Sequence, residues 1–335
     1  MIIAKFIIGL VSHFLVNILF LKNKFLLDDP DYSVHKKFIN SNNKVVLSGG
    51  LVFLILFLFY TTVSSNLKLF IFLIFLIGII SDLKILNVPS FRFFLQFLVV
   101  LSFVYLLDVG IYFTDLKYLD LILEYKFSGI IFSVFCILVL INGSNFFDGL
   151  NTLVIGYYIL VLFSLLSLIK IFNINYDLEL IINFILILFV ILILNCLNKS
   201  FIGDSGAYSI SCLTGYICID FFKNIQDFSV LFIAVILWYP AFETLFSIIR
   251  KILFKFNPTF PDNNHLHHYL FNFMCSKVKK NFLSNILAAN LINIYNLAVF
   301  AVAIFNYKNS LFLSFILAIN IFLYIYLYNV LKNER

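Results

Sequence analysis

About eleven long stretches almost free of charge run through this 335-residue chain, and they restrict its fold more than any other feature. They lie at Ile2–Leu21, Val45–Val63, Leu67–Ile80, Phe91–Leu107, Phe127–Ile141, Leu150–Ile171, Leu180–Leu197, Ser205–Phe222, Phe228–Ile249, Ser284–Phe305 and Leu311–Leu331. Roughly 17–22 apolar residues form a helix long enough to cross about 30 Å of hydrocarbon at 1.5 Å per residue. In lipid each spanning segment must satisfy its own backbone N–H and C=O groups, so such stretches are read as helices. Composition closes off the soluble alternative: 63% of the residues are hydrophobic and 12% charged, against about 25% charged in a soluble domain. The expectation is an all-α, polytopic membrane protein of about 10–11 transmembrane helices, a single integral membrane domain over residues 1–335. The first stretch carries Lys5 and lacks a small-residue cleavage site after it, so it is read as a retained helix.

Loop charges orient the helices. With the N-terminus outside, the segments holding Lys22 to Lys44, Lys84, Arg92, Lys199, Arg250 to Lys255 and Lys277 to Lys280 all face the cytoplasm, together with most of the 23 Lys and Arg residues. Such a basic excess is the mark of cytoplasmic loops. Juxtamembrane lysines facing anionic lipid account for the net charge of +6, so no nucleic-acid partner is needed. The five Cys have no CxxC spacing, which argues against a disulfide framework.

Function is then sought in the few polar clusters, all placed in loops of that same face. They are Asp28, Asp29 and Asp31; Asp82; Asn142, Asn145 and Asp148; Gly203-Asp204; and Asp262, His265, His267 and His268. A charge at the bilayer centre costs about 2.5–3.5 kcal/mol, so carboxylates at helix ends tend to serve a substrate or ion path. Any one of them alone reads equally well as a solvated loop charge or a cap; five converging loops do not. Carboxylates and Asn without thiolates suit Mg²⁺, which takes one or two protein carboxylates together with substrate phosphates. His and Lys beside them suit phosphate oxygens, whose transfer needs charge neutralisation and positioning. Phosphoryl or phosphosugar transfer at the inner membrane surface is the implied chemistry, with Zn²⁺ on the three His as an alternative. Elsewhere, His13 reads as a hydrogen-bonded core residue. Glu243 divides between a bundle pair and support of the site, and Trp238 with Tyr239 between an interfacial belt and packing at Pro240.

The clusters resemble, in order and wording, the motifs of a known family. Asn142-Gly-Ser-Asn145-Phe-Phe-Asp148-Gly149 is similar to an NxxNxxDG motif, Phe201-Ile-Gly203-Asp204-Ser205-Gly206 to F-M-G-D-x-G, and Asp262-Asn-Asn-His265-Leu-His267-His268 to D-R-x-H-x-H-H. Ser48-Gly49-Gly50 with His35-Lys36-Lys37 resembles the segment after the first helix, and Ser81-Asp82-Leu-Lys84 a paired-Asp segment. These are motifs of the polyprenyl-phosphate N-acetylhexosamine-1-phosphate transferases, within glycosyltransferase family 4. The resemblance implies a bacterial inner-membrane enzyme that moves N-acetylhexosamine 1-phosphate, most simply N-acetylglucosamine 1-phosphate, from a UDP-N-acetylhexosamine to undecaprenyl phosphate. UMP is released and a lipid-linked envelope glycan begun. It implies Mg²⁺, with Mn²⁺ as a substitute, held by Asp204 and Asp82. Catalytic parts fall to Asp82, Asp148, His265, His267 and His268, and substrate-binding parts to Lys36, Asn142, Asn145 and Asn195. Membrane lipid surrounds the chain, and a homodimer is compatible with the sequence.

The chain departs from the pattern at Ser81, where the first paired Asp is usual, at Asn151 and Asn263, and in an insertion from Phe38 to Lys44. Ser81 is the one sign of an inactive relative. The contrasting class is a transporter or lipid-handling protein, which would place its polar residues near the midplane of broken helices.

Overall fold

Apolar stretches in this chain close their own hydrogen bonds as helices, and a computed structural model shows fourteen of them among the described residues, 2–28, 45–114, 116–225, 228–257 and 262–333. In order they are α1 (Ile2–Asn23), α2 (Gly49–Tyr60), α3 (Ser65–Asp82), α4 (Pro89–Leu106), α5 (Lys117–Leu123), α6 (Lys126–Phe147) and α7 (Leu153–Ile171). They continue with α8 (Glu179–Cys196), α9 (Gly203–Asn224), α10 (Val230–Ile236), α11 (Trp238–Leu253), α12 (Leu266–Val278), α13 (Asn281–Ile304) and α14 (Ser310–Asn333). No strand occurs among the described residues; Val46 makes isolated bridges to Leu27 and to Ser200.

Eight of these helices are long and apolar enough to cross a membrane, with up to nine spans if the bent pair α10 and α11 counts as one, so the protein is a multi-pass membrane protein. The sequence-based count of 10–11 exceeds this for two physical reasons. The stretch Val45–Val63 shrinks to the 12 residues of α2, because residues 45–47 lie in the paired segment beside Leu27 and Phe201. The stretch Ser205–Phe222 becomes α9, 22 residues long but carrying Asp204, Asp220 and Lys223, and it is the central helix of the bundle. Its Ser209, Ser211 and Thr214 hydroxyls each donate to the carbonyl four residues earlier, which lets a polar helix lie in an apolar interior.

The stretch Phe228–Ile249 is also revised. It breaks at Leu237 with a bend of 74° between α10 and α11. Pro240 carries no N–H and crowds the carbonyl of Ile236, so the first helix cannot run on through it. Trp238 packs inside the break, donating to Asn296 Oδ1 at 2.7 Å, and is no interfacial belt residue. His13 is fully buried between Val190 O and Ser200 Oγ, as a core histidine.

Close packing at the centre depends on small residues. A Cβ at Gly78 would fall 2.6 Å from the backbone N of Ser205, so α3 and α9 touch main chain to main chain. That approach carries the end of α3 against the start of α9.

Candidate active site

Four of the polar clusters come together at one end of the bundle. Asp82 is the last residue of α3 and accepts the backbone N–H of Asp204 at 2.8 Å and of Ser205 at 3.1 Å. It thereby caps the positive N-terminus of α9, where a carboxylate is stabilised by the unpaired first-turn N–H groups. Gly203, at φ +68°, makes the turn possible: a Cβ there would lie 2.7 Å from Asp82 Oδ2. Asp204 Oδ2 in turn accepts from Ser81 Oγ at 2.6 Å and pairs with Arg92 Nη1 at 2.9 Å, while Arg92 also donates to Ser81 Oγ at 2.5 Å. Two adjacent carboxylates are thus balanced by one guanidinium and one helix terminus.

Beside this cluster a cavity of about 330 Å³ lies between α4, α6 and α11. Arg92, Asn142, Asn145 and Tyr208 give it polar walls; Phe93, Phe135, Leu138, Val139, Phe146 and Ile248 make the rest apolar. Asn142 and Asn145 sit in the last turns of α6 and not in a loop as the sequence suggested, because the helix continues six residues past Ile141. Asn142 Nδ2 donates to Gln96 Oε1 at 3.1 Å.

Asp148 caps the C-terminus of α6. Gly149 follows it, and a Cβ there would meet Nε2 of both His267 and His268 at 2.8 Å, so the NxxNxxDG run and the histidine segment are in contact. Asparagines brace the turn. Asn195 Oδ1 accepts from Thr152 N at 2.6 Å, and its Nδ2 donates to Ser200 O at 3.0 Å. Its side chain is buried and directed at the backbones of two motif loops, which places it as a brace behind the site. Asn151 donates through Nδ2 to Asn198 Oδ1 at 3.1 Å, a bond that the Asp usual at this position would lack the hydrogen to make.

The histidine segment is partly helical. His267 and His268 open α12, a 13-residue helix too short to span, and His265 precedes it. His265 Nδ1 lies 2.7 Å from Glu243 Oε1 and its Nε2 3.3 Å from Asp262 Oδ1. Tyr324 donates to the other Glu243 oxygen at 2.8 Å, and Arg250 holds both Asp262 oxygens at 2.8 and 3.1 Å. Burial disfavours the charged form of His265, but its bonds to Asp262 and Glu243 outweigh burial and raise its pKa above the ordinary value. Burial likewise opposes ionisation of Asp262, and the bonds from His265 and Arg250 overcome it and hold the carboxyl well below the usual range. With both ring nitrogens of His265 turned to carboxylates, the three His do not assemble as a zinc set, and no such group occurs among the described residues. The Phe146 ring joins the two halves: its centroid is 5.7 Å from the His265 ring and 5.5 Å from Lys251 Nζ, and it also lines the cavity.

Lys36, with His35, Asp29 and Asp31, lies outside the described residues. Arg92 was visible in the sequence as a residue following the paired-Asp segment, whereas Arg250 and Lys251 were visible only as basic loop charges, their one signal being a place in the last turn of a helix that leads into the histidine motif.

Residues 64–222 match the family model of glycosyl transferase family 4. A 79-residue stretch is 40% identical to the probable undecaprenyl-phosphate N-acetylglucosaminyl 1-phosphate transferase of Bacillus subtilis, covering 22% of this chain and 21% of that protein. A 70-residue stretch is 31% identical to the undecaprenyl-phosphate alpha-N-acetylglucosaminyl 1-phosphate transferase of Thermotoga maritima, covering 21% of this chain and 23% of the relative. The matched segments thus span about a fifth of the length of each curated relative. The carboxylate pair, the NxxNxxDG run and the Gly203-Asp204 turn all fall inside the segment 64–222 that matches glycosyl transferase family 4.

Proposed function

We propose that this protein transfers an N-acetylhexosamine 1-phosphate, in the first instance N-acetylglucosamine 1-phosphate, from a UDP-sugar to undecaprenyl phosphate and releases UMP. The observation that carries this reading is the join between the Asp82, Asp204 and Arg92 cluster and the apolar cavity along α4, α6 and α11. A polyprenyl phosphate has the same two parts, a doubly charged head and an apolar tail. The cavity suits the tail next to the head, and Arg92 suits the phosphate.

Asp82 and Asp204 would hold the Mg²⁺. The donors fit: hard carboxylate oxygens, two in number, matching an ion that completes its shell with substrate phosphates and water. When bound, the ion would neutralise the diphosphate of the sugar nucleotide. Arg92 adds a second positive group at Asp204, and Asn142 and Asn145 offer amides at the cavity mouth. His267 and His268, against Gly149, suit the sugar phosphates, with Asp148 between them and α6. No base is required of the protein, because a phosphate with a second pKa near 6 is already ionised at pH 7. Ser81 in place of a carboxylate is compatible with that scheme.

Purified protein given undecaprenyl phosphate, Mg²⁺ and a panel of UDP-sugars is expected to release UMP with a UDP-N-acetylhexosamine. Chelation should stop the release, and Mg²⁺ or Mn²⁺ should restore it. Absence of UMP with every donor would overturn the transferase reading.

The site is placed on the cytoplasmic side of a bacterial inner membrane, with the N-terminus outside, on the strength of the basic loops. A cysteine-depleted chain carrying Ser276→Cys, at an exposed position late in α12, should resist an impermeant thiol reagent in intact cells and react after lysis. Ready labelling of intact cells would invert the orientation.

A further inference from the structure

His265 stands apart from the two histidines that follow it. Its ring is fully enclosed, with Glu243 of α11 on Nδ1 and Asp262 on Nε2. A neutral imidazole has a single N–H, so it can donate to only one of two carboxylates and must face the other lone pair to lone pair. Two donated bonds require the doubly protonated ring. The carboxylates are themselves fixed: Tyr324 of α14 donates to the far oxygen of Glu243, and Arg250 of α11 takes Asp262 in a bidentate pair. Other charged or titratable groups facing the cluster are Lys251 of α11, through the Phe146 ring, Tyr239 of α11 beside Glu243, Tyr269 of α12 and Tyr328 of α14 beside Arg250, and His267 and His268 of α12, with ring centroids 5.5 and 5.6 Å from that of His265.

We infer that Glu243, backed by Tyr324, is a positioning residue that locks His265 as a permanent imidazolium, so that His265 serves the site as fixed positive charge and does not accept protons or bind metal. The pairing of charges favours it. Arg250 pairs directly with Asp262 and Lys251 also faces that carboxylate, whereas the ion pair made by Glu243 is the one with His265. Burial alone would lower the histidine pKa, and the two bonds reverse that direction. The lock also sets the start of α12, since His268 N and Tyr269 N both donate to His265 O. Glu243 therefore acts at a distance on the ring pair that meets Gly149. Any consequence for turnover rests on the transferase reading; the protonation state does not.

The protonation state is read directly by a pH titration of protein labelled with ¹⁵N and ¹³C in its histidines, with His265→Gln used to assign the resonance. In the wild-type protein the His265 signal should keep its imidazolium shifts as the pH rises past the ordinary histidine value near 6.5. In Glu243→Gln it should titrate toward that ordinary value, and Glu243→Asp should restore part of the difference. Tyr324→Phe, a smaller change that keeps the packing, should lower the titration point by less. In UMP-release assays, Glu243→Gln should add an alkaline loss of activity near neutral pH and raise KM for the UDP-sugar more than it lowers kcat. A wild-type His265 that titrates near 6.5 would overturn the inference without any variant. An unchanged titration in a folded Glu243→Gln would do the same. Locked His265 in a protein that releases no UMP would leave the inference standing and remove the transferase reading instead.

Discussion

Asp82→Asn and Asp204→Asn are expected to cut UMP release about a hundredfold or more, the scale seen when one preorganised electrostatic group is removed from an active site, while Ser81→Ala stays within about tenfold, or about 1.4 kcal/mol of barrier. The asymmetry follows from what each side chain holds. Asp82 accepts two backbone N–H groups of α9, and an amide at that position would turn an NH₂ against one of those donors. Asp204 carries the charge that pairs with Arg92, and its amide analogue would lose that pairing and hold a hard cation more weakly, having one oxygen and no charge. Ser81 only bridges two groups already in contact: with its hydroxyl gone, Arg92 still reaches Asp204 at 2.9 Å. Restoring the usual carboxylate with Ser81→Asp would set a third negative charge beside Asp82 and Asp204 against a single Arg92, and like charges there raise one carboxyl pKa. That variant is expected to be slower than the wild type. A strong acceleration by Ser81→Asp, or a Ser81→Ala as inactive as Asp82→Asn, would show that this position works as a proton acceptor and would overturn attack by an already ionised lipid phosphate.

Gly78→Ala should be among the most damaging single-methyl changes in the bundle. The added Cβ would collide with Ser205 Cα and lie 2.6 Å from Ser205 N and 2.9 Å from Asp204 C. These are main-chain atoms, so no rotamer change relieves the clash, and α3 has to move away from α9. Overpacking of this kind costs about 1–3 kcal/mol when the surroundings can adapt, and more when they cannot. The displacement also pulls Asp82 from the backbone it caps, so activity should fall with stability. Gly215→Ala is the matched control in α9: its Cβ would meet Leu140 Cδ1 at 3.3 Å and Ile137 Cγ1 at 3.5 Å, side chains that can shift. Thermal unfolding in detergent and UMP release should therefore drop together for Gly78→Ala and hold near wild type for Gly215→Ala. Equal melting of the two variants would show that the close approach of α3 and α9 is not needed.

Much of this architecture could be read along the chain, because hydropathy and helix length are local properties. Runs of Phe, Leu and Ile marked seven of the eight long spans to within three residues, and the eighth, α6, ran six residues past its expected end at Ile141; α3 began two residues earlier than expected, where Ser64 accepts from Leu67 N as its cap. The short α2 and the break at Leu237 were less legible. In α2 the apolar run continues into residues that pair with neighbouring loops, and pairing partners are distant in sequence. At Leu237 the signal was present in Pro240, but a single Pro says where a helix stops and not by how much the next one turns.

The site divides in the same way. Motif wording alone singled out Asp82, Asn145, Asp148, Asp204 and the histidines, since carboxylates and imidazoles are scarce in so apolar a chain. Their neighbours were decided only by the packing of helices far apart in sequence. It took the contact of α3 with α9 to set Asp82 under the N–H groups of Asp204 and Ser205, and the approach of α11 and α14 to enclose His265 between Glu243, Asp262 and the tyrosine behind them. Tertiary packing also directs both ends of the Asn195 amide to loop backbone. Sequence by itself determined which groups could carry charge in a lipid-embedded fold, because residue type and span length are written locally. Which of those groups face one another was decided only in three dimensions, where the bond a polar atom makes depends on what the packing brings within about 3 Å of it.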